Sequence, residues 1–425
     1  MTVMRETLMS KTRTGEFSLG WPIVLLGVAG VLTSMSAALL YGFGTLVIPL
    51  QDAFGWSRGE LQTSITFLFA GVAIGSQLLG GLYARFGLRR VALVSLLVQV
   101  LGYALLTTLS GSIYWLYLAF FLMPLLAVGT IAITWTQLVS LWFERNRGVA
   151  LAIILSGSGL AAMIMPPLLA WAIHAGGWRA AFMLLAAMPL LLTLPMALAW
   201  LRFPAQLAGD NDAKAPERKL DGVPFATAVR SRVFWGCNVA LILSVSLIVG
   251  MVTTIVPYLQ DKGVPSLTAS QIFSSFGISI IVGRLLVGYL LDRFPPHLIA
   301  AASLFVPALG CALFLFSGPE ATGLLILATI CIGFSAGAEF DIAAFLMARY
   351  FGLRDYARIF GLHLGLVTVI AGLAPALFGH LFTVFGTYNP VLFYCLGCAI
   401  VGPLVMLTLG SAPLYRNDHS YEVRP

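Results

Sequence analysis

Along most of this chain the apolar residues run on without the polar alternation of a soluble helix or strand. The runs are about 20 residues or longer and are separated by short clusters of Gly, Pro or charge, the spacing expected of helices that cross a bilayer. Twelve are predicted: 21–50, 59–84, 90–109, 113–141, 147–174 and 179–202, followed by 233–260, 267–292, 297–316, 321–348, 357–385 and 389–409. Between the sixth and seventh lies a polar stretch with Asp210, Asn211, Asp212, Lys214, Glu217, Arg218, Lys219 and Asp221. It divides the chain into an N-terminal half, 1–202, a linker, 203–232, and a C-terminal half, 233–425. The expected fold class is an all-α membrane protein, twelve transmembrane helices in two six-helix bundles.

An internal repeat supports the division. Pro49 matches Pro257, a shift of 208 positions, and the same shift matches Gly80 with Gly288, Arg85-Phe86 with Arg293-Phe294, Phe143 with Phe351 and Pro167 with Pro375. Halves related in this way suit a transporter whose binding site lies between repeats near the membrane midplane.

Composition strengthens the membrane reading. Of 425 residues, 59% are hydrophobic and only 10% charged, and the mean hydropathy is +0.95, a balance that water could not solvate in a globule of this size. The net charge of +7 is topological. Apart from Arg58, Arg179, Lys262 and Arg284, every Lys and Arg falls on the side of the termini and linker, so both termini and the linker are expected in the cytoplasm. No nucleic-acid partner is expected. The cysteines, Cys237, Cys311, Cys331, Cys395 and Cys398, all lie in apolar runs of the second half without disulfide or metal-ligand spacing, so neither a disulfide scaffold nor a metal site is expected. The run after Trp21 is too long for a signal peptide and is read as a membrane helix.

Ionisable side chains deep inside a run are few: Arg284, Glu339, Asp341 and His363, all in the second half. A charge at the bilayer centre costs about 2.5 to 3.5 kcal/mol on insertion scales, so such groups are seldom incidental. From Arg349, at a rise of about 1.5 Å per residue, Asp341 lies roughly 12 Å deep and Glu339 roughly 15 Å. Arg284 could grip a carboxylate with its planar fork, or serve as a structural partner for one of the acids. Glu339 and Asp341 are turned by about 200 degrees from one another on a helix, so at most one of them is expected to be central. The functional reading of either is a proton-coupling carboxylate; the alternative is a bonded packing residue. His363 could relay a proton or donate to a bound carboxylate, or be a satisfied packing contact. From the first half, Tyr41, Thr134 and Gln137 are the polar candidates for the site; the alternative for each, and the commoner role of such residues in bundles, is ordinary packing.

The loop motifs carry a family resemblance. Gly80-Gly81-Leu82-Tyr83-Ala84-Arg85-Phe86-Gly87-Leu88-Arg89-Arg90 resembles the loop motif of the major facilitator superfamily, with Ala84 where that family usually has Asp, while the second copy, from Gly288 to Asp292-Arg293, keeps the acid. The gate-locking role of the first-loop carboxylate therefore does not carry over. Phe54-Gly55-Trp56-Ser57-Arg58, and Trp142-Phe143-Glu144-Arg145-Asn146-Arg147-Gly148-Val149-Ala150 leading into Ser156-Gly157-Ser158-Gly159, resemble signatures of the monocarboxylate and oxalate-formate porter branch. In that branch Arg284 falls where an arginine binds the substrate carboxylate.

The resemblance implies a secondary transporter of small organic anions in the plasma (inner) membrane, working by alternating access. The expected substrate is a lactate- or pyruvate-like monocarboxylate with a proton as co-substrate; exchange of one carboxylate for another is the competing mechanism, and a transporter-like sensor a lesser one. Arg284, His363, Tyr41, Thr134 and Gln137 are expected to bind substrate, and Asp341, Glu339 and His363 to carry the proton. No cofactor is expected, and a monomer is expected to suffice. Paired catalytic acids on a loop, a nucleotide-binding glycine loop and loops long enough for a soluble active site are all lacking, so no enzymatic activity is expected.

Overall fold

The computed structural model describes residues 16–143, 146–201, 222–291, 293–352 and 354–410. Glu144 and Arg145 of the second signature, Asp292 of the repeated loop and most of the linker lie outside them. The described residues are almost all helical, and their one isolated bridge pairs Gly222 with Gly352. Ten of the helices are long and apolar enough to cross a membrane, with shorter apolar helices at Phe17–Thr33 and Ile113–Leu126. The protein is a multi-pass, all-α membrane protein. The chain forms two compact units, residues 1–54 with 71–213, and residues 55–70 with 214–425.

In the first unit, two of the expected runs are broken by their own backbone chemistry. The run at 21–50 is α1 (Glu16–Thr33), a wide turn over Met35–Leu39 and α2 (Leu40–Phe54). At the break Ser34 is extended and its hydroxyl bonds the Val31 carbonyl at 2.8 Å. The freed Thr33 carbonyl takes a bond from Gln99 Nε2 at 2.7 Å. Gln99 lies on α4 (Leu88–Leu106), which follows α3 (Arg58–Phe86). The fourth run is likewise interrupted between α5 (Ile113–Leu126) and α6 (Ala132–Trp142). There the Gly129 amide bonds Ser95 Oγ at 3.0 Å and Trp135 Nε1 bonds the Thr130 carbonyl at 3.0 Å. Ser95 and Gln99 are four apart on one face of α4, so a single helix satisfies both breaks. The fifth and sixth runs join as α7 (Arg147–Met188), kinked where Gly177 takes φ 72°, and end in a wide turn and α8 (Leu194–Trp200).

The second unit is more regular. A short helix at the end of the linker, α9 (Phe225–Arg230), leads into α10 (Arg232–Asp261), α11 (Ser266–Leu291), α12 (Pro296–Phe316), α13 (Thr322–Phe351), α14 (Tyr356–Phe385) and α15 (Asn389–Leu407). Phe234, Leu241, Ile342, Leu346 and Met347 form the heart of its apolar core, and α9 is tied in by Ala228. The Phe225 amide, capped by Asp355 Oδ2 at 2.8 Å, fixes the linker's end against the start of α14.

Candidate functional site

Glycine decides where the deep charges of the second unit meet. A Cβ on Gly283 would lie 2.2 Å from the Phe334 carbonyl oxygen, and one on Gly337 would lie 2.1 Å from that of Ile280. Only hydrogen fits at either place, so α11 and α13 approach backbone to backbone. The residue after Gly283 is Arg284, and four after Gly337 is Asp341. Arg284 Nε donates to Asp341 Oδ2 at 3.2 Å. Arg284 is 14% exposed and Asp341 38%, so the acid is the member of the pair that a small aqueous ligand can displace. Arg284 Nη1 is buried and without an acceptor among the described residues. A planar guanidinium that spends one edge on an acid and keeps a buried donor free is suited to a second carboxylate.

Glu339 is buried, its Oε2 has no partner among the described residues, and it feels the charge of Arg284. Of the two acids, Asp341 makes the contact. From the sequence at most one of them is expected to be central; Asp341 alone pairs directly with Arg284, and both lie within the electrostatic reach of that arginine.

His363 on α14 is almost wholly buried. Its Nδ1 faces Asn238 Oδ1 at 2.9 Å, while Asn238 Nδ2 donates to the Phe234 carbonyl at 2.8 Å. With the amide nitrogen thus committed, the amide oxygen accepts and Nδ1 carries a proton. The ring stacks on Phe360. Asn238 escaped the sequence reading because a single Asn in an apolar run is common, and its partner is far away in the chain.

Helix alternation sets the depths. Arg284 is seven residues before the end of α11, Asp341 ten before the end of α13, His363 seven after the start of α14 and Asn238 six after the start of α10. At about 1.5 Å per residue all lie roughly 10 to 15 Å in from the helix ends on the linker side of this unit.

The first-half candidates differ among themselves. Thr134 is fully buried and shares a 2.6 Å hydrogen bond with the Tyr83 hydroxyl, so its oxygen serves packing inside the first unit. Gln137, on the same helix, is exposed, and Tyr41 is half-buried. An apolar groove of about 610 Å³ between α4 and α5, walled by Leu101, Leu105, Trp115 and Leu122, holds none of the candidates.

The signatures have local physical reasons. Gly87, at φ 79°, turns the chain between α3 and α4. Ser57 and Glu60 cap α3 reciprocally: the Ser57 amide reaches Glu60 Oε2 at 2.8 Å and the Glu60 amide reaches Ser57 Oγ at 3.2 Å, the capping-box pattern. Gly157 gives α1 its close approach to α7, since a Cβ there would lie 2.7 Å from the Val28 carbonyl oxygen.

Sequence reasoning also passed over a second charged cluster. Arg58, treated there as a topological charge, makes a two-pronged ion pair with Asp261, one arm at 2.7 Å, and its Nη1 donates to the Tyr388 hydroxyl. Its guanidinium lies 4.3 Å from the Phe382 ring centre. Burial pushes the Tyr388 phenol up, so it remains a neutral hydroxyl beside the arginine.

Known proteins resemble this chain over most of its length. Monocarboxylate transporter 13 of Bos taurus is 28% identical over 394 residues, covering 92% of this chain and 89% of its own. Monocarboxylate transporter 11 of Homo sapiens is 24% identical, covering 88% and 80%, and the gallate transporter of Pseudomonas putida 26%, covering 86% and 88%. Among solved structures, the nucleoside transporter NupG superposes with a TM-score of 0.70 at 13% identity, over 92% of this chain and 98% of that one. A bacterial homologue of the human lysosomal transporter Spinster does so with 0.63 at 17%, over 94% of each. At such identities these structures speak for the fold. The family model of the Major Facilitator Superfamily matches residues 26–361, and with it the helical architecture and the two loop motifs find one explanation: the chain belongs to the Major Facilitator Superfamily of membrane transporters.

Proposed function

We propose that this transporter moves small monocarboxylates of the lactate or pyruvate kind together with a proton, by alternating access. It acts as a monomer of twelve crossings in two six-helix halves, in the plasma (inner) membrane with both termini cytoplasmic. The observation that carries this reading is Arg284. It is held inside the second unit with Nε on a partly exposed acid and Nη1 buried without an acceptor. A monoanion suits one fixed cation. Asp341, displaced from the arginine by substrate, is then the nearest group to take a proton, with Glu339 beside it; His363 is the further candidate. Relatives named as monocarboxylate and gallate transporters support an organic anion as cargo. A second reading has support in the same pair: a carboxylate that displaces Asp341 from Arg284 needs no proton, which would allow exchange of one anion for another.

The test is uptake of labelled lactate or pyruvate by the purified protein in liposomes under an inward proton gradient, with no internal substrate. Accumulation is expected, and Arg284→Ala should lower it by about 100-fold, since removing one partner of a buried charge pair typically costs about 2 to 5 kcal/mol. A strict need for internal anion would favour exchange, and unchanged uptake in the variant would contradict the role of Arg284.

A further inference from the structure

The Arg58 cluster lies at the opposite helix ends from the Arg284–Asp341 pair. Asp261 closes α10, Arg58 opens α3, Phe382 is near the end of α14 and Tyr388 directly precedes α15. Along α10, the 23 residues from Asn238 to Asp261 correspond to about 35 Å of helix.

The cluster is the head of a longer seam. Below Arg58, Gln62 Nε2 donates to the Thr253 carbonyl at 3.0 Å and Thr66 Oγ1 to the Gly372 carbonyl at 2.6 Å. Positions 58, 62 and 66 recur every four residues, so one face of α3 presents three polar side chains to α10 and α14. Between the first two rungs the backbones nearly touch, since a Cβ on Gly379 would lie 2.9 Å from Gly59 Cα. This face belongs to residues 55–70, which are first-half sequence packed within the second unit, whereas the rest of α3 belongs to the first.

Two features distinguish this seam from permanent packing. Its rungs are hydrogen bonds to backbone carbonyls and one ion pair, contacts that water can replace without leaving an unpaired group, unlike interlocked apolar side chains. Its head is reachable by water, because Asp261 is 34% exposed although Arg58 is only 9%.

We infer that the stripe Arg58–Gln62–Thr66 is a releasable latch that closes the membrane face opposite the linker, with the Arg58–Asp261 pair as its catch. The inference deepens the alternating-access reading and rests on it. When the catch is made, the path from that face to Arg284 is shut; release of Arg58 from Asp261 lets the first turns of α3 leave α10 and α14. The two-pronged pairing of guanidinium with carboxylate fixes the geometry of the catch, which the point charge of a lysine could not reproduce.

Labelling of a buried position under the seam tests this without any substrate, so a wrong cargo assignment does not affect it. Thr253 is fully buried, and Thr253→Cys in liposomes is exposed to a charged, water-soluble thiol reagent. The natural cysteines, all buried, report whether the fold is intact. In Arg58→Gln or Asp261→Asn the labelling rate should rise by about tenfold or more while the natural cysteines stay protected, because a broken buried pair leaves an uncompensated charge in the closed form. The reversed pair, Arg58→Asp with Asp261→Arg, should return the rate to within about threefold of the parent. Labelling unchanged in both single variants, or a reversed pair no better than the single variants, overturns the latch. Exposure of the natural cysteines in both single variants also overturns it, because the pair would then be a folding contact. If uptake fails but labelling behaves as described, the cargo assignment is wrong and the latch stands.

Discussion

In the proposed function a single arginine carries the chemistry, because of how its donors are distributed. Arg284 holds Asp341 through Nε while Nη1 is buried without an acceptor. Such a group cannot shed its charge, so in a membrane it must be compensated at every stage of a cycle. If Asp341 is the resting counter-ion that takes up a proton when substrate displaces it, Asp341→Asn separates two activities. Gradient-driven uptake in liposomes should fall by about tenfold or more, while exchange of labelled for unlabelled substrate at equal pH should stay within about threefold. An equal loss of both would assign Asp341 to substrate positioning. Residues of this kind were legible in the sequence because an ionisable side chain in an apolar run is rare. The choice between the two acids was not, since it depends on how far α11 and α13 interpenetrate. Asn238 was illegible for a related reason: its meaning comes from His363, 125 positions away.

At the scale of elements, hydropathy located the helices and missed their interruptions. The α10 to α15 helices fall within a few residues of the predicted runs, because each run ends in Gly, Pro or charge. The breaks at Ser34 and at 127–131 lie inside stretches that hydropathy reads as one uninterrupted run each. They depend on Ser95 and Gln99 of α4, polar residues that an apolar count dilutes. The fifth and sixth runs are expected as separate helices, and in the structure they meet at a Gly176–Gly177 kink rather than a loop. Close helix approach is the element-level feature with the sharpest consequence. Gly337→Val places methyl groups where the Ile280 carbonyl already stands, so α13 must move away from α11 and draw Asp341 from Arg284. Uptake should fall by about tenfold or more, whereas a valine on the lipid-facing side of the same helix should leave it within about twofold. Full uptake by Gly337→Val would show that the glycine seam does not set the geometry of the pair.

For the whole molecule, the two compact units do not follow the halves expected from the sequence repeat at every point, and the exception is informative. Residues 55–70 belong by sequence to the first half and by packing to the second unit. Nothing local announces this, because Arg58 finds Asp261 across 203 positions. The second unit therefore has a buried arginine–aspartate pair toward one end and a charged clamp at the other, an arrangement that suits the alternating-access carrier proposed above. The central claim is that the protein is a carrier of small carboxylates, and counterflow tests it most directly. Liposomes loaded with unlabelled lactate and diluted into a trace of labelled lactate at equal pH should show transient accumulation of label above equilibrium, and liposomes containing Arg284→Ala should not. Label entry no faster than into protein-free liposomes, for lactate and for pyruvate alike, would contradict the account.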